Sequence, residues 1–210
     1  MRPLRRQQDD EMTLPKTLRD VSGLGTELPT LRGSALILID LQNTYRQGVM
    51  KLVDVEPAIL EAQALLRRAR QTGIPIFHIQ HDAGAGSPYD VRENIGAISD
   101  EVAPVEGETL IVKGYPNAFI GTDLLEKLEA TGCKDVVLAG FMTHMCINST
   151  ARGAFNLGFR PTVVAAATAT RDLPNVDGSV VPAAAIQAAS LAAVADLFAV
   201  VTARESDLKA

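Results

Sequence analysis

From residue 34 onward, short apolar runs alternate with longer segments of helical period. Ala35-Leu36-Ile37-Leu38-Ile39-Asp40 predicts a buried strand, and residues 57–72 predict a helix. Pro57 suits a first helical turn and Gly73 a stop. Further strands are predicted over 74–80, 109–113, 135–141, 161–167 and 198–202. Between them lie predicted helices over 123–130, 146–156 and 182–196, with Gly132 and Gly158 closing the first two. The strands carry Val, Ile and Leu on both faces. That pattern, with helices between, predicts an α/β fold: a three-layer α/β/α arrangement around a mostly parallel sheet.

Residues 1–33 break the pattern. They are polar, with Pro3, Pro15 and Pro29, and read as an extension packing on the domain or on a partner subunit. The domain itself is assigned to 34–210. The gap over 81–108 contains Gly84, Gly86, Pro88 and Pro104. A connection of that length is more often a functional loop than padding.

Composition narrows the class. A chain of 210 residues fits one domain with a full core. A net charge of −5 makes nucleic acid or an anionic membrane a poor partner. Cys133 and Cys146 have no Cys-x-x-Cys spacing, which suggests neither a disulfide framework nor a zinc cluster. Reduced thiols fit a cytoplasmic protein. Arg2, Arg5 and Arg6 are followed by Asp9, Asp10 and Glu11 rather than an apolar run, so no secretory signal is expected. The apolar stretch over 183–201 is interrupted by Gln187, Ser190 and Asp196. It reads as a buried helix entering a strand, not as a membrane span.

The chemistry should lie beyond the carboxyl ends of the strands, near the point where strand order reverses. Asp40 closes the first strand, Lys113 the third, and Cys146 follows the fourth. With strand order 3-2-1-4-5-6, the first and fourth strands are neighbours and Asp40 meets Cys146. Each residue also has an ordinary reading: a buried structural thiol, a turn aspartate and a solvated lysine. Their shared position on one sheet edge favours a nucleophilic site. A thiol at a strand-to-helix junction faces the positive end of a helix dipole, and a nearby cation adds to this, so a thiolate is expected.

Four stretches then carry a resemblance. They are Ala35 through Asp40-Leu41-Gln42-Asn43; Lys113 through Phe119 with Thr122-Asp123-Leu124; Ala139-Gly140 through Thr143-His144-Met145-Cys146; and Thr150 through Ala154. Over residues 34–202 the chain resembles the isochorismatase-like cysteine hydrolase superfamily. The resemblance implies an Asp40–Lys113–Cys146 triad, a six-stranded sheet in the order above, and dimers or tetramers. It also implies an oxyanion hole from the backbone N–H groups of Met142 and Cys146, with a cis peptide bond between Phe141 and Met142. Ala169-Thr170-Arg171-Asp172-Leu173-Pro174 points within the superfamily toward relatives that hydrolyse streptothricin antibiotics.

The expected reaction is hydrolysis of a small-molecule C–N bond, in an amide, lactam or carbamate, through an acyl-thioester on Cys146. The retained thiol argues against vinyl-ether cleavage of isochorismate, which proceeds by protonation. Nicotinamidases of the superfamily carry Asp-x-His after the second strand. Here the region reads His78-Ile79-Gln80-His81-Asp82, so no metal is expected, and nicotinamide is a weak candidate. No cofactor is expected either. His81 and Gln42 are candidates for substrate contact, as are Tyr115 and Phe119 flanking the lysine segment. Tyr45, Tyr89, Phe141 and His144 are further candidate walls. Gln42 and Asn43 either orient Asp40 or cap the next segment.

Rival classes lack their signals. No Gly-x-Gly-x-x-Gly, phosphate-binding loop or Gly-x-Ser-x-Gly follows any strand. A redox thiol protein would use Cys146 without Asp40 or Lys113.

Overall fold

The computed structural model describes residues 15–210, so residues 1–14 of the expected extension lie outside it. Among the described residues eight strands form: β1 (Ser34–Ile39), β2 (Ile76–His81), β3 (Thr109–Lys113), β4 (Asp135–Phe141), β5 (Arg160–Ala169), β6 (Leu173–Pro174), β7 (Val180–Val181) and β8 (Val200–Thr202). Five helices accompany them: α1 (Leu18–Val21), α2 (Val55–Thr72), α3 (Leu124–Ala130), α4 (Asn148–Asn156) and α5 (Ala183–Ala195). The main sheet has six strands in the order β3-β2-β1-β4-β5-β8, and every pair in it is parallel. This is the order expected, with β8 as the sixth strand. The two-residue strands β6 and β7 pair separately as an antiparallel hairpin that hydrophobic periodicity did not reveal.

Alternation along the central strands builds two cores. Leu36 and Leu38 of β1 join Val137 and Ala139 of β4 against Ala58, Ile59, Ala62, Leu65, Leu66 and Ala69 of α2. Ala35, Ile37 and Ile39 point the other way, with Val136 and Leu138, toward α3, α4 and Val194 of α5. Successive side chains on a strand face opposite sides, so both faces of the sheet are covered. All six residues of β1 are buried.

Three local departures bear on function. Residues 143–147 form a π-helical turn before α4, so that helical backbone begins three residues ahead of the helix predicted from Cys146. On β4, Leu138 and Gly140 are two apart, yet their partners on β5, Val163 and Thr168, are five apart. This irregularity redirects the end of β5. Finally, α5 is not the buried helix expected. Only Ala183 and Val194 of it are buried. Ala184, Ala185, Ala188, Ala189, Ala192 and Ala193 are exposed. Alanine leaves little apolar area in water, so an exposed alanine face costs little.

The described part of the extension packs on its own chain. The Arg19 N–H donates to Asp196 O at 2.8 Å, and Leu31 N–H to Lys209 O at 2.8 Å. No helix among the described residues is long and apolar enough to cross a membrane.

Candidate active site

Asp40, Lys113 and Cys146 come together beyond the carboxyl end of the sheet. Asp40 follows β1 with a left-handed backbone (φ 52°). Its N–H donates to Ile79 O at 2.9 Å, and its carbonyl accepts the Gln42 N–H at 2.8 Å. That sharp turn holds the carboxylate at the strand tip. Lys113 ends β3, in register with His81 of β2. Its Nζ lies 2.7 Å from Asp40 Oδ2, and neither side chain has any exposure to solvent. The same Nζ lies 3.4 Å from Cys146 Sγ and 3.2 Å from His81 Nδ1.

Close backbone approach makes this contact possible. Gly140 pairs with Ile39, and a Cβ on Gly140 would fall 1.9 Å from Ile39 O. Only glycine lets β4 run this near β1 where Asp40 and Cys146 must meet. The lysine segment is locked to the helix after the thiol. Ala118 N–H donates to Thr150 Oγ1 at 3.1 Å. A Cβ on Gly153 would meet Asn117 Nδ2 at 2.6 Å. The matching stretches 113–119 and 150–154 therefore hold each other.

Electrostatics revise one expectation. Burial, and next the charge of Asp40, push the Cys146 thiol up to about 12, and Lys113 offsets only part of this. The thiol rests protonated rather than as the thiolate expected from the cation and the helix end. The main reason is burial: with Lys113 already beside Asp40, a thiolate would add an uncompensated charge to a site closed to water. Burial also raises the Asp40 carboxyl, against the pull of Lys113. Neither Asp40 oxygen has a hydrogen bond of good geometry, although Oδ2 is paired with the lysine. The site thus holds a buried base of raised affinity for protons against a protonated thiol.

The turn that presents Cys146 has distinctive hydrogen bonding. The peptide bond between Phe141 and Met142 is cis. The Met142 carbonyl accepts the N–H groups of Met145 at 3.0 Å and Ile147 at 3.2 Å. That step passes over the Cys146 N–H, leaving it free of this carbonyl. Thr143 Oγ1 donates to Ala169 O at 3.0 Å, and His144 Nδ1 lies 2.6 Å from Thr170 Oγ1, which ties the turn to the end of β5.

The other candidates separate. His81 is half-buried, and burial, then the Lys113 charge, hold its pKa down to about 4. A neutral imidazole can therefore accept from Lys113 through Nδ1. Gln42 is fully buried, and its amide is spent on backbone groups. Nε2 donates to His81 O at 3.0 Å and to Gly96 O at 2.7 Å, and Oε1 accepts the His81 N–H at 2.8 Å. It clasps β1, β2 and the long loop together, so a direct substrate contact does not fit it. Phe119 stacks on Phe159 with centroids 6.3 Å apart, within the α3 and α4 core, which removes it from the pocket wall. Tyr115 is 60% exposed.

Four candidate rings pack on one another. Tyr45 packs edge-on against Tyr89 (5.7 Å) and Phe141 (5.6 Å), and His81 against Tyr89 (5.1 Å). The Tyr45 phenol is pushed well above its ordinary range by burial first and then by Asp40. Tyr89 belongs to the long 81–108 connection, the segment whose length had marked it as functional. His78 points to the opposite face from His81 and meets Glu108 Oε2 at 2.7 Å. Among the described residues, no group of three or more His, Cys, Asp or Glu is placed to hold a metal ion.

The isochorismatase domain profile matches residues 34–206. The chain is 34% identical over 183 residues to the secreted isochorismatase effector Isc1 of Verticillium dahliae, covering 87% of this chain and 94% of that one. It is 35% identical over 150 residues to maleamate amidohydrolase of Pseudomonas putida, covering 63% and 70%. Streptothricin hydrolase of Streptomyces noursei is 30% identical over 141 residues, covering 67% and 51%. The crystal structure of an isochorismatase from Pseudomonas putida KT2440 superposes with a TM-score of 0.89 at 38% identity, covering 93% of this chain and all of that one.

Proposed function

The chain belongs to the isochorismatase family, and on that premise we propose that it is a cysteine hydrolase of a small-molecule C–N bond. Relatives named as amidohydrolases support a carbon–nitrogen substrate. The observation that carries the reading is the buried array in which Lys113 Nζ stands 2.7 Å from Asp40 Oδ2 and 3.4 Å from Cys146 Sγ.

In this proposal Asp40 takes the Cys146 proton as sulfur attacks the carbonyl carbon of an amide, lactam or carbamate. The transfer moves a proton between two groups already in the site and leaves its net charge unchanged. A thiol held at about 12 and a carboxyl raised by burial suit that exchange. The developing oxyanion is received by the N–H groups of Met142 and Cys146. Asp40 then passes the proton to the leaving nitrogen. A water that it activates hydrolyses the thioester. Lys113 holds the carboxylate in place throughout.

Mass spectrometry of the protein incubated with a panel of amides, carbamates and lactams tests this reading. The expected result is an acyl adduct on Cys146. Full turnover of the same substrate by a Cys146→Ala variant would end it. Isochorismate cleavage is the second reading, favoured by the name of the Verticillium relative, and it predicts turnover that survives loss of the thiol.

A small molecule is the expected partner, and the protein acts as a homodimer or homotetramer. The exposed alanine face of α5 supports self-association, which light scattering can check. A cytoplasmic location rests on the two free cysteines, Cys133 and Cys146; the Verticillium relative is, by its name, secreted.

A further inference from the structure

Lys113 has a third neighbour to which the proposed reaction gives no task. An ammonium group carries three N–H donors and no acceptor. Nζ lies 2.7 Å from Asp40 Oδ2, 3.4 Å from Cys146 Sγ and 3.2 Å from His81 Nδ1, one partner for each donor. Lysine can only donate, so His81 Nδ1 accepts and the imidazole proton sits on Nε2. Burial, then the Lys113 charge, keep the ring in that neutral form. Tyr89 packs edge-on against the ring at 5.1 Å and limits its rotation.

The backbone of His81 is held by a side chain rather than by a strand. The Asp40 N–H donates to Ile79 O at 2.9 Å, continuing the β1–β2 ladder one step past Ile39. A parallel ladder would next join the His81 N–H to the Asp40 carbonyl and the Gln42 N–H to the His81 carbonyl. The left-handed turn at Asp40 instead closes its carbonyl onto the Gln42 N–H at 2.8 Å. The Gln42 amide supplies both missing partners. Oε1 accepts the His81 N–H at 2.8 Å, and Nε2 donates to His81 O at 3.0 Å. One side chain thus carries β2 to its last residue while β1 turns away to aim its carboxylate. His81 is in register with Lys113 of β3, so the two side chains stand beside each other.

The geometry points to His81 and Gln42 as positioning residues: His81 holds the Lys113 ammonium between Asp40 and Cys146, and Gln42 holds His81 in register with the lysine. Only the effect on turnover rests on the C–N hydrolase reading. In that reaction the proton passes from sulfur to Asp40, and negative charge moves from the carboxylate to the sulfur. An ammonium tethered on its third side stands within reach of both ends of the transfer and need not move. Without the tether it can turn wholly onto the carboxylate.

Two measurements keep this inference separate from the hydrolase reading. In the first, imidazole nitrogen-15 resonances of the whole protein, assigned with a His81→Asn variant, report the tautomer without turnover. His81 should carry its proton on Nε2 at pH 7. Lys113→Met should move the Nδ1 resonance toward that of a free acceptor. In the second, an amide that the enzyme turns over is compared across variants. His81→Leu should lower kcat by about 10- to 100-fold and leave KM within about threefold. His81→Asn, whose Oδ1 falls where Nδ1 was, should keep most of the activity. Adding Gln42→Ala to His81→Leu should cost little beyond His81→Leu alone, since both act through Lys113. The expected tautomer without turnover of any amide would leave the positioning array standing and remove the hydrolase reading. A proton on Nδ1, or an Nδ1 resonance indifferent to Lys113→Met in a folded protein, would overturn the inference. So would a His81→Leu defect confined to KM, a defect that asparagine fails to relieve, or additive losses in the double variant.

Discussion

Two charge clusters lie along β2 and β3, one partly exposed and one fully buried, and they serve opposite purposes. In the first, Glu108 receives Arg70 Nε at 2.7 Å, Arg70 Nη2 at 3.0 Å, the Val105 N–H at 3.1 Å and His78 Nε2 at 2.7 Å. Although burial pulls its carboxyl upward, these donors hold it down at about 2. In the second, Asp40 has Lys113 beside it but no hydrogen bond of good geometry, and burial keeps its carboxyl raised. Both clusters contain an acid, a cation and a histidine. Saturation with donors makes the Glu108 cluster a fastening. Unmet capacity at Asp40 leaves a base able to accept a proton. The charge types are the same, so the difference lies in how deeply each carboxylate is buried and how completely it is satisfied.

The contrast breaks most sharply on activity. Asp40→Asn should lower kcat/KM by about 10³-fold or more, as loss of a proton-transfer group commonly does. Glu108→Gln should leave it within a few-fold. Equal losses in two folded variants would mean that the clusters are not functionally distinct.

Stability should reverse the ranking of Glu108. Glu108→Gln leaves Arg70 and His78 with a weaker acceptor and is expected to cost about 1–3 kcal/mol in urea unfolding. A cost near zero would show that saturation contributes nothing to the fold.

The pH dependence of stability should have opposite signs for the two acids. Glu108 is depressed from its ordinary 4.5 to about 2, so its contribution is present above 4.5 and lost as pH falls toward 2. Asp40 is raised from 3.8, so its contribution is present below 3.8 and lost as pH rises through its folded value. Unfolding midpoints measured across acid pH should flatten in one direction for Glu108→Gln and in the other for Asp40→Asn.

The smallest effect concerns the thiol. With its pKa held at about 12, Cys146 should react slowly with iodoacetamide at pH 8, and faster as pH approaches 12. Asp40→Asn removes a negative neighbour and should speed labelling at pH 8. Unchanged labelling would mean that Asp40 exerts no field on the sulfur.

Most of the fold and the centre of the site were legible in the sequence because strand periodicity and strand ends are local signals. Asp40, Lys113 and Cys146 each terminate or follow an apolar run, and a parallel sheet necessarily brings such ends to one edge. Side-chain partnerships across long separations were not legible. Gln42 gave no sign that Gly96 and His81 would claim its amide. Phe119 sits beside the lysine segment in the chain, yet it turns toward Phe159. Tyr89 emerges from a loop with no period at all, so its aromatic character and the length of that loop mark it as a candidate without indicating which rings it meets. The thiol was misjudged for a different reason. Lys113 and a helix end both favour a thiolate, and the two facts that outweigh them, burial of the sulfur first and the negative charge of Asp40 second, exist only in three dimensions.

Gly140 gives this arrangement an unusual tolerance. Across most of the core, a missing methyl group leaves a void and an added one meets neighbours that can shift. At Gly140 the atom in the way would be a backbone oxygen, Ile39 O, on the central strand. Nothing there can rotate aside. The spacing between acid and thiol is therefore calibrated by a single hydrogen atom, and no other amino acid can reproduce it. A library covering every residue at position 140 should yield glycine alone among active clones, although none of glycine's own atoms takes part in the chemistry.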